Sequence, residues 1–298
     1  LHGIERFLTK FTRPGRRMRT LAFLLFDHVA GIDTLFYTMA NGGTLVVTRR
    51  RDPDSILALI DKCRVEVLPS SPSFLRLMCL DGGNRERNVS SLRIITYGSE
   101  PMDAATLSRL NDRFPGVQLS QKYGTTETGS PRSVSRDNNS LWIRLSREGM
   151  ETRVVDGVLW IRAESTILGY LNAPSPLDAD GWYCTGDRVE TDGEWIRFCG
   201  RVSETINVGG EKVSPAEVER VIMELEGVRE AVVKGEPHPL MGQIVTARVV
   251  LASGNDEGGA VRRIREHCAR VLPRHKIPVK IHIESTSLAG ERHKIRRV

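Results

Sequence analysis

The sequence predicts an α/β protein built in three parts: a parallel α/β layer, a small β-rich subdomain and a compact C-terminal α+β domain. Three observations predict it. Helical and strand patterns alternate over the first ~125 residues, the order that builds a largely parallel sheet. From about Arg132, short strand-like runs are separated by Gly turns, with Asp156-Gly157 and Asp192-Gly193 as hairpin signals. From Gly200-Arg201, helix and strand patterns fill the last ~100 residues, a typical size for an independent unit. The expected boundaries are therefore 1–131, 132–200 and 201–298.

Asp52-Pro53-Asp54-Ser55 reads as a helix start, since acidic residues and Pro suit a first turn, and the helix should run to about Cys63. Val65 to Leu68 reads as a short strand. Ser71-Pro72 opens a helix with Phe74, Leu75 and Met78 on one face. Leu92 to Tyr97 is a strand, Asp103 to Arg113 a helix and Val117 to Lys122 the next strand. In open α/β sheets, ligands bind at such C-terminal strand ends. Leu141 to Ile143, Thr152 to Val155, Val158 to Ile161 and Glu194 to Phe198 are the short strands of the middle part. In the last part, Pro215 to Leu225 and Gly259 to Val271 are helices. Val228 to Lys234, Ile244 to Leu251 and Val279 to Ile283 are its strands.

The 298 residues are 40% hydrophobic and 27% charged, an ordinary globular composition. No run of about 18 apolar residues occurs, so no helical membrane span is expected. The start, LHGIERFLTKF, has no apolar core of a secretory leader. The five cysteines form no CxxC pair, which fits buried, reduced thiols in a cytoplasmic protein better than a zinc site. The net charge of +6 is concentrated toward the C-terminus, where Arg292-His293-Lys294-Ile295-Arg296-Arg297 forms a basic tail. Such a surface favours polyanions, among them a nucleotide, coenzyme A or an acidic carrier protein. No nucleic-acid-binding motif accompanies it, so no nucleic-acid partner is expected.

Two neighbouring strand ends carry glycines and polar groups: Tyr97-Gly98-Ser99-Glu100-Pro101 and Tyr123-Gly124-Thr125-Thr126-Glu127. Glycines let backbone approach a flat ligand, an aromatic ring can stack on a base, and a carboxylate can ligate a hard cation. Gly181 to Asp187 sets an aspartate after a tight turn, where it suits the two hydroxyls of a ribose. Gly200-Arg201-Val202-Ser203 and Val208-Gly209-Gly210-Glu211-Lys212 follow.

This ordered series resembles the acyl- and aryl-adenylate-forming (AMP-binding) superfamily, and within it acyl-CoA synthetases. The resemblance implies a partial adenylate-forming large domain and a mobile C-terminal domain. It also implies an ATP-dependent acyl ligase that makes acyl-AMP and then a thioester, as in fatty acid metabolism. Its cofactors would be ATP/AMP, Mg²⁺ and coenzyme A or a carrier-protein phosphopantetheine. By the same resemblance, Ser99, Glu100, Pro101, Tyr123, Gly124, Thr125, Asp187 and Arg201 would bind the nucleotide. Thr126 would contact the adenylate phosphate and Glu127 would hold Mg²⁺. His28, in Phe26-Asp27-His28-Val29-Ala30-Gly31, would lie beside the acyl carboxylate, and Lys294 would bridge carboxylate and phosphate. A mobile cation there offsets the repulsion of two approaching anions. Ser203 would occupy the hinge, where the family usually has Asp or Lys, and Gly209 and Gly210 would border the thiol tunnel.

The family's phosphate loop, a Ser/Thr/Gly-rich run followed by Pro-Lys, does not occur in these 298 residues. The chain is therefore expected to be N-terminally truncated relative to the family, with a sheet edge exposed and a tendency to self-associate. The alternative expectations are a weak or inactive homologue that binds AMP or acyl-adenylate, and a ligase that loads a carrier-protein pantetheine.

Overall fold

The computed structural model describes residues 17–80, 87–146, 149–252 and 257–289. These residues fold around three sheets. The first is parallel, in the order β2-β1-β3-β4-β5, where β1 is Arg19–Ala22, β2 Thr44–Val47, β3 Val67–Ser70, β4 Ile94–Tyr97 and β5 Gln118–Gln121. Its strands alternate with α1 (Val29–Ala40), α2 (Pro53–Cys63), α3 (Pro72–Leu80) and α4 (Ala104–Arg113). Leu21, Leu68, Ile95 and Leu119 on the strands share one core with Ile60, Phe74 and Leu107 on the helices.

The helix starts are set by the carboxylates that the sequence marks. Asp52 accepts the Ser55 N–H at 3.0 Å, and Asp103 accepts the Thr106 N–H at 2.8 Å. Such caps satisfy backbone donors that a helix start otherwise leaves open, at about 1 kcal/mol each. Asp103 also faces the guanidinium of Arg76 on α3, and both side chains are under one-tenth exposed. Arg76 Nε donates to Thr106 Oγ1 at 3.1 Å, so the start of α4 is tied to the middle of α3.

The strand read at Val65 to Leu68 begins two residues later, at Val67. Arg64 leaves α2 in the left-handed conformation, φ 53°, and the Val65 N–H returns to Ile60 O at 3.1 Å. Val65 thus belongs to the helix exit. Leu141 and Trp142 likewise precede their strand, because the Trp142 N–H goes to Ser140 Oγ.

The second sheet is antiparallel, in the order β6-β7-β11-β10-β9-β8. It comprises β6 Arg132–Ser135, β7 Ile143–Ser146, β8 Met150–Val155, β9 Val158–Ala163, β10 Tyr183–Asp192 and β11 Trp195–Arg201. Asp156-Gly157 turns β8 into β9, with positive φ at both residues. Ile143, Leu159 and Ile161 form its buried face.

The third sheet has the order β13-β12-β15-β14, with β16 (Lys280–Glu284) parallel to β15. Here β12 is Ile206–Val208, β13 Glu211–Val213, β14 Val228–His238 and β15 Gly242–Leu251. Helices α5 (Pro215–Met223) and α6 (Glu257–Val271) pack on it through Val218, Ile222, Ile264 and Cys268.

All five cysteines are free, but the expectation of buried thiols holds for Cys268 alone; Cys184 is exposed and the other three are half-buried. Cys184 pairs with Trp160 of β9 at the last regular position before the register shifts, and it alternates with the buried Thr185 on the open face of the strand. Among the described residues no helix is long and apolar enough to cross a membrane.

Candidate functional site

The site forms where β4 and β5 end side by side, Tyr97 opposite Gln121 in the parallel register. The two loops that follow are pressed together. Lys122 N–H donates to Tyr97 O at 2.7 Å, and a Cβ on Gly98 would lie 2.4 Å from Lys122 O. Only glycine fits that approach. Gly98→Ala is expected to destabilise the fold by about 1–3 kcal/mol, since overpacked sites force the backbone to shift. Urea unfolding checks this.

Ser99 follows with φ 68°, a left-handed conformation that a non-Gly residue adopts at a cost. Ser99 and Pro101 are exposed, whereas Glu100 turns back to α3. Its Oε2 accepts the Ser73 N–H at 3.2 Å and the Ser73 hydroxyl at 2.8 Å. The carboxylate thus caps α3 from the loop expected to line an adenine pocket.

The Tyr123–Gly129 segment is a closed turn. Thr125 and Gly129 exchange backbone hydrogen bonds, and Thr125 Oγ1 accepts from Thr128 N–H at 3.1 Å. A Cβ on Gly124 would meet Ser130 Oγ at 2.6 Å. The turn leaves Thr126 exposed at its crest. Glu127, next to it, receives the Tyr170 hydroxyl on Oε1 at 2.7 Å. Burial acts to raise the Glu127 pKa, but the hydrogen bonds from Tyr170 and neighbouring groups outweigh it, and the net direction is downward. The group is a carboxylate at neutral pH.

Tyr123 reaches across to the second sheet. Its hydroxyl donates to Asp187 Oδ2 at 2.8 Å, and Arg201 Nε donates to Asp187 Oδ1 at 2.9 Å. The Tyr123 ring stacks on Phe198, with centroids 4.5 Å apart and planes 17° apart. Burial first, and then the Asp187 charge, push the Tyr123 hydroxyl far above its usual pKa, so it acts as a donor. Asp187 does not follow a tight turn, as the sequence suggests; it lies within β10, just after an irregularity at Gly186, φ 71°. The irregularity interrupts the pairing with β9, and the Asp187 N–H bonds Thr185 Oγ1 at 3.0 Å instead. Asp187 itself is 8% exposed.

Arg201 ends β11, and a single 3-10 turn, Val202–Glu204, leads into the third sheet. Ser203 lies exposed in that turn. Nearby, Ser214 precedes α5, yet its hydroxyl donates to Cys199 O at 2.9 Å and joins the third unit to β11. Gly209 and Gly210 turn β12 into β13 and line a separate open groove of about 470 Å³ with Asn207, Leu240, Met241 and Gln243. His28 caps α1: its Nδ1 accepts the Ala30 N–H at 3.3 Å. Lys294 lies outside the described residues.

The structure therefore brings Tyr123, Asp187 and Arg201 into one clasp and puts Glu127 on the same turn. Ser99, Glu100 and Pro101 flank it on the neighbouring strand end. Phe198, Tyr170 and Ser73 take part without any signal in the sequence patterns. Gly169-Tyr170, a Gly-aromatic pair in a loop, is the nearest to one.

A parallel α/β layer joined to an antiparallel sheet and a third α+β unit is the fold of adenylate-forming enzymes. The ATP-bound MatB from Rhodopseudomonas palustris superposes with a TM-score of 0.83 at 24% identity, over 98% of this chain and 61% of that one. The anthranilate CoA ligase AuaEII, in complex with anthranoyl-AMP, superposes with a TM-score of 0.82 at 21% identity, over 98% and 61%. The chain belongs to the AMP-binding enzyme family: residues 4–171 match the AMP-binding enzyme pattern and 217–289 match the AMP-binding enzyme C-terminal domain. Among curated relatives, a 3-[(3aS,4S,7aS)-7a-methyl-1,5-dioxo-octahydro-1H-inden-4-yl]propanoyl:CoA ligase of Rhodococcus jostii is 30% identical over 77% of this chain and 47% of its own length. The 4-coumarate–CoA ligase-like 6 of Oryza sativa is 30% identical over 79% and 43%. The chain thus spans about half the length of the curated relatives it matches.

Proposed function

We propose that this chain holds the adenylate of an ATP-dependent acyl-adenylate-forming ligase, in which a carboxylate and ATP give acyl-AMP and pyrophosphate and a thiol then takes the acyl group. The observation that carries this reading is the clasp. A carboxylate with one oxygen fixed by Tyr123 and the other by Arg201 presents its remaining lone pairs in a set direction. Two vicinal ribose hydroxyls suit such an acceptor. Tyr123, Ser99, Glu100, Pro101, Gly124 and Thr125 border the place of the base, and Thr126 at the exposed crest faces the α-phosphate.

Mg²⁺ fits the donor set. It takes one or two carboxylates and fills its octahedron with water and substrate phosphates. Glu127 offers one carboxylate, and among the described residues no cluster of three or more His, Cys, Asp or Glu competes for the ion. Bound there, the ion would offset phosphate charge. In the same reading, His28 lies beside the acyl carboxylate and Lys294 bridges it to the phosphate. Residues 1–131 and 132–200 form the large domain, and 201–298 swings about Ser203.

The thiol acceptor is coenzyme A, entering by the groove at Gly209 and Gly210. Relatives that carry the name of CoA ligases support this choice over carrier-bound pantetheine. The free cysteines fit a reducing compartment such as the cytoplasm. Among the described residues no strand pairs with the outer edge of β2, where Val47 is 67% exposed, and this supports self-association.

The second half-reaction tests the proposal, because it needs no triphosphate. A preformed acyl-adenylate and CoA should give thioester and AMP: the thiolate sulfur bonds the acyl carbon and the acyl–phosphate bond breaks. Thioester formed only with a carrier-bound pantetheine would favour the carrier reading. No thioester with either acceptor, despite tight adenylate binding, would leave a binder without catalysis.

A further inference from the structure

We propose that Tyr170 is a positioning residue for Glu127: its hydroxyl fixes one carboxylate oxygen and so directs the other toward a divalent cation. This rests on the reading of Glu127 as the cation ligand. The loop after β9 makes three hydrogen bonds to the Glu127-Thr128 pair. Ile167 N–H donates to Glu127 O at 2.8 Å, Ser165 Oγ donates to Thr128 O at 2.9 Å and the Tyr170 hydroxyl reaches Glu127 Oε1 at 2.7 Å.

The first two bonds join backbone to loop and would hold the turn without any aromatic residue. The third acts on the carboxylate itself, beside weaker hydrogen bonding from Tyr183 and Thr125. Burial does not account for it: the Tyr170 side chain is exposed, and its neighbours Leu168 and Leu171 are fully so, at 103% and 101%. The hydroxyl's contacts, with Glu127 first and Tyr183 beside it, are therefore what orient the ring. A carboxylate rotates about its last bond in a broad, two-fold well, so its two oxygens are interchangeable until something binds one of them. A neutral hydroxyl on Oε1 removes that freedom without cancelling the charge. Groups that orient a metal's direct ligand in this way are worth about 10–100-fold in metal affinity.

The test uses the whole chain and Mn²⁺ as a paramagnetic probe, titrated at saturating AMP, with free Mn²⁺ read by electron paramagnetic resonance. Wild type should bind one Mn²⁺, Glu127→Gln should abolish that binding, and Tyr170→Phe should weaken it about 10-fold. AMP affinity without metal should stay within about twofold of wild type in Tyr170→Phe, since the ring and loop are kept. An unchanged Mn²⁺ affinity in Tyr170→Phe overturns the positioning role, and a tighter one would make the hydroxyl a competitor of the cation. A parallel loss of metal-free AMP binding would make Tyr170 a structural residue only. If wild type binds AMP but no Mn²⁺, the Glu127 assignment fails and this inference with it. Loss in Glu127→Gln but not in Tyr170→Phe sinks this inference alone.

Discussion

Asp187→Ala is expected to lower AMP affinity by about 100-fold, equivalent to about 2.8 kcal/mol. Two effects combine. In the proposed reading the ribose loses a charged acceptor, and hydrogen bonds to charged groups contribute about 1.5–3 kcal/mol each. The clasp also loses the group around which it is built, so Tyr123 and Arg201 no longer share an acceptor. The two partners do not weigh equally. The Arg201 side chain is 58% exposed, so its ion pair with Asp187 is screened and contributes little to stability. Tyr123 lies against Phe198 in the half-buried side of the site, and its hydroxyl left without an acceptor costs about 1–3 kcal/mol. Asp187→Asn keeps an oxygen acceptor without the charge and should fall between wild type and Asp187→Ala in calorimetric titration with AMP.

The largest effect on folding is expected at Arg76. Its guanidinium and the Asp103 carboxylate face each other with side chains 8% and 9% exposed. Arg76→Ala leaves a buried carboxylate without its counter-charge, a change that costs about 3–5 kcal/mol. A thermal midpoint lower by on the order of 10 °C follows for a chain of this size. The double variant Arg76→Ala with Asp103→Ala should lose less than the sum of the single variants, because neither charge is left alone. A measured sum that is additive would mean that the pair does not interact.

The pH dependence of this pair has a defined sign. Burial acts to raise the Asp103 pKa, but Arg76 and the Thr106 hydrogen bonds outweigh it and hold it below the ordinary value of 3.8. A carboxylate with a folded pKa below its unfolded one contributes stability that is present above the unfolded value. That contribution is lost as pH falls through the folded value. In Arg76→Ala only burial and the Thr106 bonds remain, and protonation then relieves a buried charge. The stability gap between wild type and variant should therefore narrow below about pH 4.

Local chemistry made much of this fold legible. Asp52 and Asp103 before helical patterns, Pro72 at a first turn and Asp156-Gly157 between two strands each specify a backbone conformation by themselves. The clasp was legible as residue types: Tyr123, Asp187 and Arg201 stand out beside glycines. Their mutual geometry was not, because 64 residues separate Tyr123 from Asp187 and the sheet pairing alone sets the distance. The strand irregularity at Gly186 was hidden, since a glycine there reads equally well as a turn. Val65 looked like strand because it is β-branched, yet the left-handed exit at Arg64 binds it to the helix. Tyr170 sits 43 residues from Glu127 in an exposed loop, where neither periodicity nor burial marks it.

Calorimetric titration of the purified chain with AMP, run beside Asp187→Ala, bears most directly on the account. One AMP should bind per chain, the affinity should drop about 100-fold in Asp187→Ala, and far-ultraviolet circular dichroism should show the variant folded. Equal AMP binding by wild type and Asp187→Ala, or no AMP binding by a folded wild type, would contradict the clasp as the adenylate site.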